Sequence, residues 1–193
     1  MGRRPAAQTR AMILEACRQI LRRDGLTYLT LEMVAEQAGL SKGGLLYHFP
    51  TKESLVEALI EYHNDQFESR LQAFLEMERD QPGAWLRAYA RAAIEQLRDP
   101  DNANLYAGLF AAEEKYDSAH KLMQLRYVGW QQQVDASGLD PTWATLVRLT
   151  IDGLWFAQMH QYAPPDEARR ERIVDMVLAL TTHSGPMGED LHG

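Results

Sequence analysis

The chain has 193 residues, 46% of them hydrophobic and 24% charged, a mixture that excludes a disordered or fibrous chain and leaves room for a sizeable core. No apolar run reaches the length needed to span a bilayer. The formal net charge of −7 is unevenly spread: residues 1–52 hold eight basic side chains against four acidic ones, a balance of +4 that suits a polyanionic partner and leaves −11 for the remainder.

The segment Met1 to Ala7 is basic and has no apolar signal core, and Ala6 stands where a myristoylation motif wants Ser or Thr. Export is not expected, and the chain is read as cytoplasmic. Apolar residues recur at helical spacing almost throughout, and no alternating strand pattern is sustained, so the expected fold is all-α with about nine helices. The first helix runs from about Thr9 to Asp24, buries Ile13, Ala16, Cys17, Ile20 and Leu21, and ends at Gly25. Cys17, the single cysteine, reads as a small core residue.

Thr30 is placed to cap a second helix that ends at Gly39. Ser41 caps a third, about Lys42 to Phe49, which Pro50 stops. Thr51 caps a long fourth helix, Lys52 to about Glu78, with an apolar stripe through Leu55, Leu59, Tyr62, His63, Phe67, Leu71, Phe74 and Leu75. Helices follow near Ala84–Leu97, Asn102–Lys115, Ser118–Ala136, Thr142–Gln161 and Asp166–Thr182, with breaks at Asp99-Pro100-Asp101, Ser137 to Pro141 and Ala163-Pro164-Pro165. From Ser184 onward no apolar period remains, and a frayed tail is expected.

A helix, a tight Gly-containing turn and a second helix form the helix-turn-helix arrangement, whose second member lies in the major groove of DNA. The segment Leu31 to Phe49 fits it, with Val34, Ala35, Ala38, Leu40, Leu45 and Phe49 spaced to hold the pair together. Two glycines inside a short exposed helix cost on the order of 1 kcal/mol each relative to Ala, so Gly43-Gly44 points to something other than stability. Arg3, Arg4 and Arg10 can form a basic arm toward DNA or simply a solvated tail.

The stretch Leu29-Thr30-Leu31, Val34-Ala35, Ala38 through Leu45 and His48 through Leu55 resembles the TetR family of transcriptional regulators, over roughly Ile13 to Leu59. The resemblance implies an N-terminal three-helix DNA-binding domain, taken as 1–52, and a C-terminal helical domain, taken as 53–193, that binds an effector and dimerises. It implies that Thr30 and Lys52 bind backbone phosphate, that Ser41, Lys42, Gly43 and Gly44 enter the groove, and that His48 closes the helix against DNA. Leu46 stands where the family most often has Tyr, and the Tyr comes one residue later. Since one residue turns a helix by about 100°, Tyr47 is aimed at a base or at a different phosphate.

The last two helices are expected to pair with those of a second copy. The pairing faces are expected to be Val147, Ile151 and Leu154 on the first and Ile173, Val177 and Leu180 on the second. For the effector, Trp85, Tyr89, Tyr106, Phe110, Tyr127, Trp155 and Met159 offer an aromatic lining suited to a hydrophobic or cationic compound, with ordinary core packing as the alternative. Glu113, Glu114 and Asp152 are possible partners for a cation.

The whole reads as a bacterial repressor: a homodimer on a palindromic double-stranded DNA operator, released by a small molecule, with no cofactor. A helical adaptor or small-molecule-binding protein without DNA affinity is the alternative. No enzyme is expected, because the six histidines show no metal-ligand spacing and no phosphate loop or nucleophile elbow is present.

Overall fold

The computed structural model describes residues 5–78, 81–98 and 103–182. Arg3 and Arg4, the Asp99-Pro100-Asp101 break, Asn102, His183, His192 and the tail from Ser184 lie outside them. Among the described residues the structure is all-helical: α1 Ala6–Asp24, a single 3-10 turn Leu26–Tyr28, α2 Leu31–Gln37, α3 Lys42–His48, α4 Lys52–Met77, α5 Ala84–Leu97, α6 Ala103–Lys115, α7 Asp117–Asp135, α8 Pro141–His160 and α9 Glu167–Leu180. None of these helices is long and apolar enough to cross a membrane.

The helix boundaries follow from local chemistry. The Thr30 hydroxyl accepts from the Met33 amide at 3.2 Å, and the Ser41 hydroxyl accepts from the Gly44 amide at 3.1 Å. Thr51 and Ser54 cap α4 reciprocally, each backbone amide donating to the other's hydroxyl, at 3.2 and 3.0 Å. Asp140 and Asp166 accept from the first-turn amides of α8 and α9.

The packing divides the chain into two compact units, one formed by residues 1–65 and 100–124, the other by 66–99 and 125–193. In the first, Ile13, Cys17, Ile20, Leu21, Leu29, Val34, Leu45, Phe49, Leu55 and Leu59 close a core beneath α1, α2, α3 and the start of α4. Burial pushes the Cys17 thiol up to about 12, so it is a packing group and not a nucleophile. Helix α6, far along the chain, packs on α1 and on the 3-10 turn. A Cβ on Gly108 would come within 3.3 Å of Leu21 Cδ2, so this glycine lets α6 approach, and Asn104 donates to the Arg22 carbonyl at 3.1 Å. In the second unit α5, α8 and α9 bury Leu86, Tyr89, Ala90, Val147, Ile151, Leu154, Val174 and Val177, with Phe67 and Leu71 of α4 and Trp130 and Val134 of α7.

Candidate functional site

The head presents α3 on a packed apolar base. Leu45 and Phe49 are fully buried and fix one face of α3, while Ser41, Lys42, Gly43 and Tyr47 stand exposed on the other. Gly39 adopts φ +66°, which a residue with a Cβ would resist, and so turns the chain from α2 into α3 within four residues. Tyr47 is 76% exposed and lies edge-on to His48, with ring centroids 5.2 Å apart. The open space around a Cβ on Gly43 means that no group within the chain demands a glycine there.

Two cations of the predicted set already have partners. Lys42 pairs with Glu32 at 2.6 Å, which holds that carboxyl below its usual range. Lys52 is half-buried and donates to the Leu26 carbonyl at 3.0 Å, and burial together with the nearby Lys115 ammonium lowers its pKa. Arg10, read from sequence as part of a basic arm, lies within α1 with its guanidinium 4.5 Å from the Phe49 ring centroid. Tyr28, two residues before the Thr30 cap, is 67% exposed in the 3-10 turn. Sequence reasoning passed over it, although an aromatic two residues before a cap was the available signal.

The effector candidates separate. Trp85, Tyr89 and Tyr127 come together in the second unit with Phe67 and Trp130. Trp85 stacks on Tyr89 at 5.1 Å, Phe67, Tyr89 and Trp130 meet mutually at 5.2 to 5.6 Å, and Tyr127 meets Trp130 at 4.9 Å. Met159 is buried and Trp155 half-buried along α8. Tyr106 belongs to the first unit, where it meets His63 at 5.9 Å, and Phe110 follows it one turn on along α6.

Polar groups are threaded through the aromatic cluster. The Tyr89 hydroxyl donates to Asp152 Oδ1 at 2.5 Å, Arg148 pairs with the other Asp152 oxygen, and Arg148 Nε donates to Gln131 at 2.9 Å. Burial raises both the Tyr89 hydroxyl and the Asp152 carboxyl above their ordinary values. Among the described residues, no group of three His, Cys, Asp or Glu side chains could hold a metal ion.

The residues expected at the dimer face are packed within their own unit. Val147 and Ile151 are 2% and 1% exposed and, with Leu154 and Val177, belong to the core of their own unit, against which Ile173 and Leu180 also pack. On the opposite side of α8, Leu146 and Leu149 are each 53% exposed and Phe156, which meets His160 and Tyr162, is 42% exposed, and α9 exposes Met176. A surface groove of about 510 Å3 at the start of α8 includes Leu146 and Leu149 in its lining.

Comparison with known proteins gives matches at both ends of the chain. Residues 13–59 match the family model of bacterial regulatory proteins of the tetR family, and residues 83–182 match a tetracyclin repressor-like C-terminal domain. The HTH-type transcriptional regulator TtgR of Pseudomonas putida is 39% identical over 56 residues, covering 29% of this chain and 27% of the relative, so the match spans about a quarter of that protein's length. Among solved structures, a transcriptional regulator from Rhodococcus sp. Rha1 superposes with a TM-score of 0.71 at 21% identity, over 89% of this chain and 95% of that one. The multidrug binding protein EbrR in complex with imidazole gives 0.69 at 22%, over 98% and 96%, and EbrR has also been solved with malachite green and with ethidium. These structural likenesses bear on the fold.

Proposed function

This chain belongs to the tetR family of bacterial regulatory proteins, and from that premise we propose that it is a ligand-responsive transcriptional repressor. In this reading it binds a palindromic DNA operator as a homodimer in the cytoplasm and is released by a small hydrophobic or cationic effector. The observation that carries the DNA-binding reading is the capped helix α3. Its buried face is fixed by Leu45 and Phe49, and its exposed face offers Ser41, Lys42, Gly43 and Tyr47 to the groove, with Gly44 beneath the Ser41 cap. Thr30 and Lys52 flank it as phosphate contacts, His48 closes its C-terminal end against DNA, and on reaching DNA Lys42 exchanges Glu32 for a phosphate or a base edge.

Dimerisation sets two heads about 34 to 36 Å apart, one turn of DNA. We assign the contact to the exposed apolar side chains Leu146, Leu149 and Phe156 of α8 and Met176 of α9, which a second copy would bury. The effector region is the aromatic cluster of the second unit, and the EbrR complexes with two organic cations support a cation among its ligands. Helix α4 contributes residues to both units, and an effector that prefers a different setting of this helix would draw the heads out of register with the half-sites.

The test is selection of random duplex DNA by the purified chain at several salt concentrations, repeated with Lys42→Ala and with Leu149→Arg. An enriched palindrome that weakens with salt, lost in Lys42→Ala and reduced to a half-site in Leu149→Arg, is the expected result. Absence of any enriched sequence would leave a helical ligand-binding protein without DNA affinity.

A further inference from the structure

Arg148 occupies an unusual position inside the aromatic cluster. Its guanidinium pairs with Asp152, receives support from Gln131 and lies 6.0 Å from the ring centroid of Tyr127, the one member of the cluster that is more than a third exposed. A carboxylate on one side and an aromatic face on the other is the recognition pattern for a delocalised organic cation, and here a side chain of the protein itself fills it. Resting on the reading of the second unit as the effector region, we propose that Arg148 is a built-in surrogate ligand. A flat organic cation of guanidinium-like or aromatic-iminium type binds by displacing it from Asp152 and Tyr127.

The two members of the ion pair differ in how firmly they are held, and that difference selects a cation over an anion. Asp152 is anchored by the Tyr89 hydroxyl, and Tyr89 is stacked on Trp85 and wedged against Phe67 and Trp130. Removing the carboxylate would leave the buried Tyr89 hydroxyl without this acceptor. Arg148 is attached through a long flexible stem, and beside it Gln131 also donates to Asp135 at 2.8 Å. The exposed Asp135 carboxylate, one helical turn along α7, can therefore receive the guanidinium when it swings out. Burial also favours an exchange of cations, because the Asp152 carboxylate left uncompensated in these surroundings would be costly. The excess of acidic side chains beyond residue 52 adds a general attraction for cations.

Calorimetric titration of the full chain with ethidium, in the absence of DNA, tests this through the sign of two effects. Arg148→Met empties the site and is expected to tighten ethidium binding at least fivefold, whereas Asp152→Asn is expected to weaken it at least tenfold. Arg148→Gln, which keeps a polar contact to Gln131, should tighten it in the same direction and serves if the Met variant fails to fold. A residue acting only through stability would shift both positions the same way. Weakening by both substitutions, or no saturable binding even in the Arg148 variants, overturns the proposal. So does tight binding of benzoate that is lost in Arg148→Met, since Arg148 would then be the receptor. Because DNA is absent, failure here leaves the operator-selection result standing, and the two readings can fall separately.

Discussion

The DNA-binding head and the second unit use polar side chains in opposite ways. In the head, Thr30, Ser41, Lys42 and Tyr47 stand at the surface, held by short-range caps, over a core that is apolar. In the second unit, charged groups are drawn inside, as the Arg148–Asp152 pair and as the Arg87–Glu78 pair, to which the more exposed Arg91 also binds. Surface groups tolerate substitution without loss of fold, because water replaces a lost partner. Buried charges do not, because nothing replaces it. The head should therefore lose function before it loses stability, and the second unit the reverse.

The largest expected effect comes from breaking the Arg87–Glu78 pair. Arg87 is 7% exposed and donates to Glu78 at 2.6 Å and to the carbonyls of Pro82 and Thr181 at 3.0 and 3.1 Å, tying together the chain around α4, α5 and α9. Arg87→Met strands a half-compensated carboxylate and two carbonyls, and removal of one partner from a buried pair typically costs about 3–5 kcal/mol. Thermal unfolding should fall by roughly 10 °C, while DNA affinity measured well below that temperature stays within about twofold. An equal loss of DNA affinity at low temperature would show that the two units do not separate in this way.

The same contrast explains what could be read from the sequence. The helices and the helix-turn-helix were legible because their signals are local: Thr30 and Ser41 as caps, Gly39 for the turn, Pro50 as the stop. The apolar periodicity of α8 is equally visible, but it runs on two nearly opposite faces, Val147-Ile151-Leu154 and Leu146-Leu149-Phe156. Which of them is core depends on where α5 and α9 pack, and no short-range pattern carries that. The docking of α6 on α1 was hidden for the same reason, since Gly108 matters only because Leu21 lies across from it. The sequence shows Lys52 as a cation, but its tie to the Leu26 carbonyl depends on a residue 26 positions away.

A second prediction sharpens the comparison within the first unit by setting Glu32 against Glu113. Glu32 is exposed beside Lys42, which holds its carboxyl below the usual range, whereas Glu113 on α6 is half-buried and burial raises its pKa to about 7. Between its ordinary value of 4.5 and about 7, Glu113 in the folded chain retains a proton that the unfolded chain has released. The stability it contributes is present below that window and is lost as the pH rises through it. Glu113→Gln should remove this component, so that wild type falls by a few degrees relative to the variant between pH 5 and pH 8 in parallel melting curves. Parallel pH dependence in the two proteins would place the titrating group elsewhere. Removal of Glu32 should have the opposite sign, since its ionised form is the one the fold favours.

The smallest effect on stability belongs to Gly43, and it bears most directly on why the head looks as it does. A Cβ at this position meets nothing within 4 Å, and the residue lies inside α3 with no positive φ to require glycine. Gly43→Ala should therefore stabilise the free protein by up to about 1 kcal/mol, the difference in helix propensity. If α3 enters the major groove, the added methyl takes up space the duplex backbone or a base edge needs, and operator affinity should fall at least tenfold even as the melting temperature rises. Gains in both would mean that the glycine serves neither the fold nor a close approach to DNA. Gly44→Ala provides the control, because its Cβ would lie 3.3 Å from the Ser41 hydroxyl that caps α3, so there a loss of binding could come from the cap and should be accompanied by lower stability. Only opposite signs at Gly43 separate a residue kept for the partner from one kept for the chain.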